Sequence, residues 1–418
     1  SQKRLMFRIY NLLLFLILLI SPFIIIYRLI IKKEDFNRFK EKFCFFSYKQ
    51  PKNKKVVWLH GSSVGEINSI IPLIEKLEKK NYIDIILVTS STLSSSKVLS
   101  KFKFDKVVHQ FFPIDTKYFS KKFLDYWNPK AVFFIESEIW PNMITNIKKR
   151  EIPLILLNAR ITKKTFKRWR KFPNLSRSIF NKFDLCLPQN EQTKIFLKLL
   201  GCKKIKKIGN IKFSEIQKAP TIKFNSGIKK FFNSKKIWCA SSTHKGEEIL
   251  CGITHQKMSK IYKNLLTIII PRHIHRVNKI VQEINDLKLN VVLHSSNPKK
   301  LKDVDIYLVD TYGETKKFYD SSDVVFMGKS LIGKGGQNPL EPARQGAAVL
   351  HGPNIDNFSD IYKLLDKLKI THRVNGATSL KNLVNKLIIK SNNKKNYLKI
   401  KKIGKKILNE TKDEINSL

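Results

Sequence analysis

The pattern of apolar and polar positions changes character twice along this chain. From Ile9 to Tyr27 no residue is charged and most are Leu, Ile or Phe, a run of 19. That length is at the short end of what a helix needs to cross a bilayer. Lys3, Arg4 and Arg8 precede the run, and Arg28, Lys32, Lys33, Arg38, Lys40 and Lys42 follow it. The larger positive load lies after the apolar run, which predicts a cytoplasmic body. The run is long for a signal-peptide core and no small-x-small cleavage site follows, so an uncleaved anchor over residues 1–31 is preferred to a cleaved signal. A segment that hugs the membrane and breaks at Ser21-Pro22 is the other option.

Beyond a basic connector, short apolar runs alternate with helical patterns. Strands are predicted at Val56–His60, Ile83–Thr89, Val107–Phe112, Ala131–Glu136, Leu154–Asn158, Asp184–Pro188 and Ile205–Gly209. A polar stretch at 214–227 reads as a linker. A second series follows at Lys236–Ser242, Leu265–Pro271, Val291–Ser295, Ile306–Asp310, Val324–Gly328 and Ala347–His351. Such alternation implies parallel sheets with both faces covered. The expected class is therefore α/β, with two Rossmann-like domains over 32–213 and 228–418. The tail after Thr371 is rich in Lys and Asn and reads as helical at best. In doubly wound sheets ligands bind beyond the carboxyl ends of the strands, so chemistry is sought there.

Composition narrows the classes. The chain has 418 residues, more than one core usually serves, and its hydrophobic fraction of 42% is ordinary. The net charge of +47 is not. Nucleic-acid binding is disfavoured, because lysine is spread evenly and no binding motif is present. Compositional bias is preferred, with attraction to an anionic membrane or substrate second. The five cysteines (Cys44, Cys186, Cys202, Cys239, Cys251) show no Cys-x-x-Cys spacing. This speaks against a zinc site or disulfide framework and fits a reducing compartment. The nine histidines show no metal spacing, so no metal site is expected.

The segment Asp323–Pro353 is the richest in signals. Two strand-like runs flank a loop with Gly333, Gly335 and Gly336, then Asn338 and Pro339. Asn and Pro are good helix starters and Gly a good terminator, which predicts a helix from Pro339 to Gly346. Bare N–H groups and a helix dipole there suit a phosphate, and Glu341 suits a ribose diol. An ordinary strand-to-helix turn is the plain alternative. In the first domain, Gly61–Glu66 follows a strand. Glu66 is a candidate general base, or simply an acid that complements a helix dipole. Glu136 and Glu138 end another strand as a functional pair or as solvated caps. Asn158-Ala159-Arg160 and Lys212 stand at two further strand ends. In the second domain, Ser241–Glu248 is a run of hydroxyls with a capping-box-like acid. Pro271-Arg272 offers a phosphate fork, and Thr311–Glu314 is a further glycine turn.

Seven segments recur in the order seen in 3-deoxy-D-manno-octulosonic acid (Kdo) transferases, which the chain resembles from its N-terminal segment to about Ile361. They are His60–Glu66, Glu136–Asn142, Asn158–Ile161, Gly209–Phe213, Ser242–Glu248, Pro271–His273 and Gly335–Glu341. The resemblance implies a GT-B glycosyltransferase that moves Kdo from CMP-Kdo onto a lipid A precursor at the cytoplasmic face of a bacterial inner membrane. It implies Glu66 as general base, with Glu136 and Lys212 stabilising the transition state. It also implies that CMP is held by Pro271 and Arg272, by Tyr312, Gly313 and Glu314, and by Asn338, Pro339, Leu340 and Glu341. Gln337 stands where the family usually has His, and Gly61 and Ser62 also depart from its pattern. A monophosphate leaving group needs no metal bridge, and no Asp-x-Asp ends a strand. Metal-independent, inverting transfer without a cofactor is the expectation. The competing readings are a membrane-bound GT-B enzyme with another nucleotide sugar, and a basic lipid-binding protein without catalysis.

Overall fold

The computed structural model describes residues 2–51, 53–215, 224–298, 301–388 and 393–416. The chain forms two compact units, Ser1–Ile216 with Gly404–Leu418, and Gln217–Ile403.

The first unit is built on six parallel strands: β1 (Val56–His60), β2 (Ile85–Ser90), β3 (Val107–Phe111), β4 (Ala131–Ile135), β5 (Leu154–Ala159) and β6 (Leu185–Pro188). Their order is β3-β2-β1-β4-β5-β6. Nearly every residue of β1, β2, β4, β5 and β6 is buried. This is why these strands read as continuous apolar runs rather than alternating ones. The core beneath them is aromatic: Trp58 lies 4.7 Å from Phe123 and 5.5 Å from Phe134 between ring centroids. Chain direction reverses across the sheet between β1 and β4, which are paired with His60 opposite Phe134. That is where a doubly wound sheet opens a crevice.

The second unit holds β7 (Lys236–Thr243), β8 (Leu265–Pro271), β9 (Val291–Leu293), β10 (Ile306–Leu308), β11 (Val324–Met327), β12 (Ala348–His351) and β13 (Thr371–Arg373). All are parallel, in the order β13-β12-β11-β7-β8-β10-β9. The reversal here lies between β7 and β11. At that point Gly328 follows β11 so closely that a Cβ would sit 2.5 Å from the Ser242 carbonyl oxygen. Only glycine fits.

Several expectations are corrected. Ile205–Gly209 is not a strand; one bridge joins Ile205 to Cys186, and Gly209 turns away with φ at +124°. β13 lies in the tail that had been expected to be helical at best. The last fifteen residues, Gly404–Leu418, belong to the first unit, not to a domain over 228–418. They are tied there: Gly404 approaches the Phe213 carbonyl so closely that a Cβ would lie 2.2 Å from its oxygen. Lys76 also bonds Asn409 at 3.2 Å. Most of the expected 214–227 linker lies outside the described residues.

The apolar run forms one helix, Gln2–Ile30, long and apolar enough to cross a membrane by length and composition. It does not break at Ser21-Pro22. Pro22 has no N–H to give the Leu18 carbonyl, and the Ser21 hydroxyl bonds that carbonyl at 2.7 Å instead. A stripe through Phe7, Tyr10, Asn11, Leu14, Leu18, Ser21, Ile25 and Leu29 is buried or half-buried, and the rest of the apolar surface is mostly exposed.

Candidate functional site

Strands β1 and β4 of the first sheet deliver acids and a histidine to one edge, and the turn Ile211–Ser214, held by Asn158 of β5, brings a cation there instead of the strand end expected for it. β1 runs into Gly61-Ser62-Ser63, and the helix Val64–Glu78 begins at once, capped by Ser63. Glu66 sits in its first turn. The Ser63 hydroxyl donates to Glu66 Oε1 at 2.9 Å and the Ser62 backbone N–H to Oε2 at 2.7 Å. Both readings of Glu66 thus have a basis, since it is an acid in the first turn of a helix and also stands at the carboxyl end of β1. Burial, then the negative charges of Glu138 and Glu136, push its carboxyl up to about 7, against the two hydrogen bonds that favour the ionised form. A carboxylate with that affinity is half charged at neutral pH, where a general base works best.

Glu136 ends β4 in the left-handed region, with φ at +55°. This costs a non-glycine residue about 1–2 kcal/mol and marks functional positions more often than others. Its buried carboxylate is paired with Lys212 Nζ at 2.5 Å. Lys212 is set by the short turn Ile211–Ser214, whose first N–H donates to Asn158 Oδ1 at 3.0 Å. Asn158 is itself left-handed, at a bulge near the end of β5. Asn158 and Glu136 thereby place the ion pair beside Glu66.

Glu138 was foreseen only as one of a pair with Glu136. Its burial would raise its affinity for a proton, but bonds from His60, Ser62 and Trp140 outweigh that and hold it below the usual carboxylate range. All three converge on Oε2: His60 Nε2 at 3.0 Å, the Ser62 hydroxyl at 2.7 Å and Trp140 Nε1 at 2.8 Å. His60 is fully buried, stacked on Phe112 at 3.9 Å. Its Nδ1 lies 2.9 Å from the Thr89 hydroxyl, which also accepts from Trp58 Nε1. These partners assign the Nε2–H tautomer. Glu138 is therefore a fixed negative charge that helps raise Glu66. The signal in the sequence was Glu138 two residues before Trp140, with His60 at the end of β1.

In the second unit, the residues implied to hold the nucleotide follow β8, β10 and β11, which with β7 form a contiguous run of the sheet. Pro271 closes β8 and is buried, while the Arg272 side chain is exposed. The Arg272 N–H donates to the Thr243 carbonyl at 3.0 Å. Tyr312 is 75% exposed. Gly313 is left-handed at φ +83°. Glu314 is not free: Lys317 Nζ lies 2.5 Å from Oε1 and His294 Nε2 3.3 Å from Oε2, and the Thr311 hydroxyl bonds it as well. Against partial burial, Lys317 and Thr311 hold its carboxyl below the ordinary value. Of the implied nucleotide residues only Glu314, with Thr311, Lys317 and His294, lines a cavity of about 230 Å³.

The glycine loop differs from expectation. The helix after it is a single turn, Leu340–Arg344, rather than Pro339 to Gly346. Asn338 Oδ1 already accepts the Leu340 N–H at 3.1 Å. The loop's own N–H groups are partly spent on Glu247, which accepts Lys329 N–H at 2.8 Å and Leu331 and Ile332 N–H each at 3.2 Å. Glu247 also takes the His244 N–H at 2.9 Å, so its fully buried carboxylate laces the β7 turn to the β11 loop. The expected capping box over Ser241–Glu248 is absent: Gly246 stands at the helix start with no side-chain cap. Glu248 instead holds Arg276 through two bonds of 2.9 and 3.2 Å. No group of three or more His, Cys, Asp or Glu placed to hold a metal ion stands among the described residues.

A family model described as 3-deoxy-D-manno-octulosonic-acid transferase (kdotransferase) matches residues 37–215. A curated 3-deoxy-D-manno-octulosonic acid transferase of Rickettsia bellii is 33% identical over 97% of this chain and 98% of its own. That of Haemophilus influenzae is 27% identical over 91% and 90%. Among solved structures, a putative UDP-N-acetylglucosamine 2-epimerase from Listeria monocytogenes superposes with a TM-score of 0.59. It is 13% identical and covers 87% of this chain and 98% of its own. The shared fold is the GT-B type.

Proposed function

The chain belongs to the 3-deoxy-D-manno-octulosonic acid transferase family, whose members act in lipopolysaccharide biosynthesis, and from that premise we propose a specific reaction. It moves Kdo from CMP-Kdo onto a lipid A precursor (lipid IVA) by a single inverting displacement at the membrane surface. An acceptor hydroxyl attacks the anomeric carbon of Kdo, the bond to the CMP phosphate breaks, and that bonding pair leaves with CMP. Glu66 takes the hydroxyl proton as the new bond forms. The Glu136–Lys212 pair acts on the charge that separates between sugar and leaving group, as fixed charges stabilise a transition state without reorganisation. Pro271, Arg272, Tyr312, Gly313, Glu314 and Asn338–Glu341 bind the nucleotide, with Arg272 as the phosphate's cation. Metal-independence follows from a leaving group with one phosphate, which needs no bridge between two.

The observation that carries the role of Glu66 is its carboxyl, raised to about 7 beside two further acids. The test is transfer by detergent-solubilised protein with CMP-Kdo and a tetra-acylated lipid A precursor, read by mass spectrometry with a chelator present. One or more added Kdo masses are expected from the wild type and none from Glu66→Gln, which still binds CMP. Unchanged turnover in the variant removes Glu66 from the chemistry. Product lost only with the chelator overturns metal-independence.

A further inference from the structure

The helix Gln2–Ile30 is bonded near its start to the first unit and near its end to the connector that follows it. Near its start, the Tyr10 hydroxyl donates to Asp115 Oδ2 at 2.7 Å, and Asn142 Nδ2 donates to Asn11 Oδ1 at 3.0 Å. Near its end, Arg28 pairs with Glu34 at 3.0 Å, Glu34 with Lys42 at 2.7 Å, and the Lys42 carbonyl accepts the Ile114 N–H at 3.0 Å. Residues 10 and 28 are about 27 Å apart along a straight helix. That is nearly the hydrocarbon thickness of a bilayer. A helix standing free in the bilayer would leave both its halves away from protein, yet here Tyr10 and Asn11 near the start and Ser21 and Ile25 near the end are buried or half-buried. The buried stripe from Phe7 to Leu29 agrees with a helix laid along protein rather than standing free in lipid.

What remains uncovered is apolar. Leu5, Leu12, Leu16, Leu19, Phe23 and Ile30 are 46–73% exposed, a surface far too apolar to be left in water. At the N-terminal end of the helix lies a cavity of about 330 Å³. Arg4, Arg8, Lys117 and Lys182 supply four cations to it; Lys182 Nζ also donates to the Ser178 carbonyl at 2.9 Å, and the Thr145 and Ser178 hydroxyls donate to the Pro141 and Leu175 carbonyls. Phe7 and Ile179 form its apolar wall, and none of its described lining residues is acidic. Cations around a space of that size match a phosphate with its attached glycerol. An apolar wall beside them matches the start of an acyl chain.

We infer that this helix lies in the plane of the membrane surface, with its bare side in the acyl boundary, and that the basic cavity seats the phosphate of an anionic phospholipid. Charge complementarity selects the occupant: a bilayer carrying phosphatidylglycerol offers anionic phosphates at the depth where an in-plane helix puts its polar end. The inference does not depend on the sugar transferred, because its readouts are binding and depth.

The experiment uses the full chain with vesicles of phosphatidylcholine alone or with about a third phosphatidylglycerol. Flotation measures partitioning of the wild type, of Arg8→Gln/Lys117→Gln/Lys182→Gln, and of a control that loses the same charge elsewhere, Lys257→Gln/Lys260→Gln/Lys263→Gln. The cavity variant is expected to lose roughly tenfold in partitioning to the anionic vesicles, and the control less than about twofold. Should the triple variant melt early, Lys117→Gln alone carries the test, with a smaller loss in the same direction. Equal losses in cavity variant and control reduce the cavity to bulk charge and overturn the proposal. Displacement by inorganic phosphate beyond that by chloride at matched ionic strength assigns the cavity to free phosphate, which also overturns it. For the helix, spin labels on single cysteines at Leu5, Leu12, Leu16, Leu19 and Phe23 report depth; the native thiols are all buried. Uniformly shallow depths are expected. A maximum near Leu16 and Leu19, falling away on both sides, describes a crossing helix and rejects the in-plane one.

Discussion

The two units share an architecture and use their carboxylates in opposite ways. At the reversal of the first sheet, Glu66 is left with two hydrogen bonds and two acidic neighbours, and its proton affinity rises. At the reversal of the second sheet, Glu247 is enclosed by four backbone N–H groups and Glu248 is locked to Arg276, and after β10 Glu314 is paired with Lys317. The first arrangement keeps an acid near its titration point, which is what proton transfer requires. The second spends its acids on holding loops. Acid at a strand end is thus no signature of catalysis by itself; what matters is whether its bonds favour the ionised form or its neighbours oppose it.

That contrast can be broken from either side. The largest effect is expected at Glu66. Glu66→Gln should lower kcat by roughly a thousandfold, as loss of a general base does, while CMP affinity measured by calorimetry stays within about twofold. The same variant carries a stability signature. Because the folded carboxyl is raised from its ordinary value, Glu66 favours the fold at low pH and that contribution is lost as pH rises toward and past about 7. The melting temperature of Glu66→Gln should therefore gain on the wild type between pH 5 and pH 8. A constant difference across that range contradicts the raised affinity.

Next in size is Glu247→Ala, which strips a fully buried acceptor from four half-buried N–H groups and should cost about 2–4 kcal/mol in unfolding free energy. Melting as stable as wild type would mean that the loop holds itself. A smaller effect sharpens the first unit. The rate should rise tenfold per pH unit toward an inflection near 7, and Glu138→Gln should move the inflection down by about half a unit by removing a fixed charge. A profile that does not move uncouples the two acids. Smallest is Glu314→Gln, which loses the charge but keeps an acceptor for Lys317 and Thr311. Unfolding should change by about 1 kcal/mol, while KM for the donor rises and kcat holds. A fall in kcat with KM unchanged would give Glu314 a part in the chemistry instead.

Most strands were legible because burial on both faces writes them as apolar runs. β1 and β8 coincide with the expected limits, Val56–His60 and Leu265–Pro271. Short or irregular elements were not. β13 has three residues, too few to set a period. Ile205–Gly209 has the composition of a strand, yet only Ile205 finds a partner. At the site, Glu66, Glu136 and Lys212 were legible as polar residues at strand ends. Their mutual placement was not, because it depends on left-handed backbone at Glu136 and Asn158 that no propensity demands. Glu247 was read as a cap because a hydroxyl run with an acid three or four residues on has that pattern. Three of its four partners lie more than eighty residues away in the chain.

The return of Gly404–Leu418 to the first unit sets an order of events during synthesis. Everything from Gln217 to Ile403 is, in effect, an insertion within the unit that carries Glu66. That unit cannot be finished when its sheet has been made; the sheet can form early, but the seat that Phe213 offers Gly404 stays empty until the chain past Ile403 has been made. A protein laid out this way closes its first unit only after its second has been made.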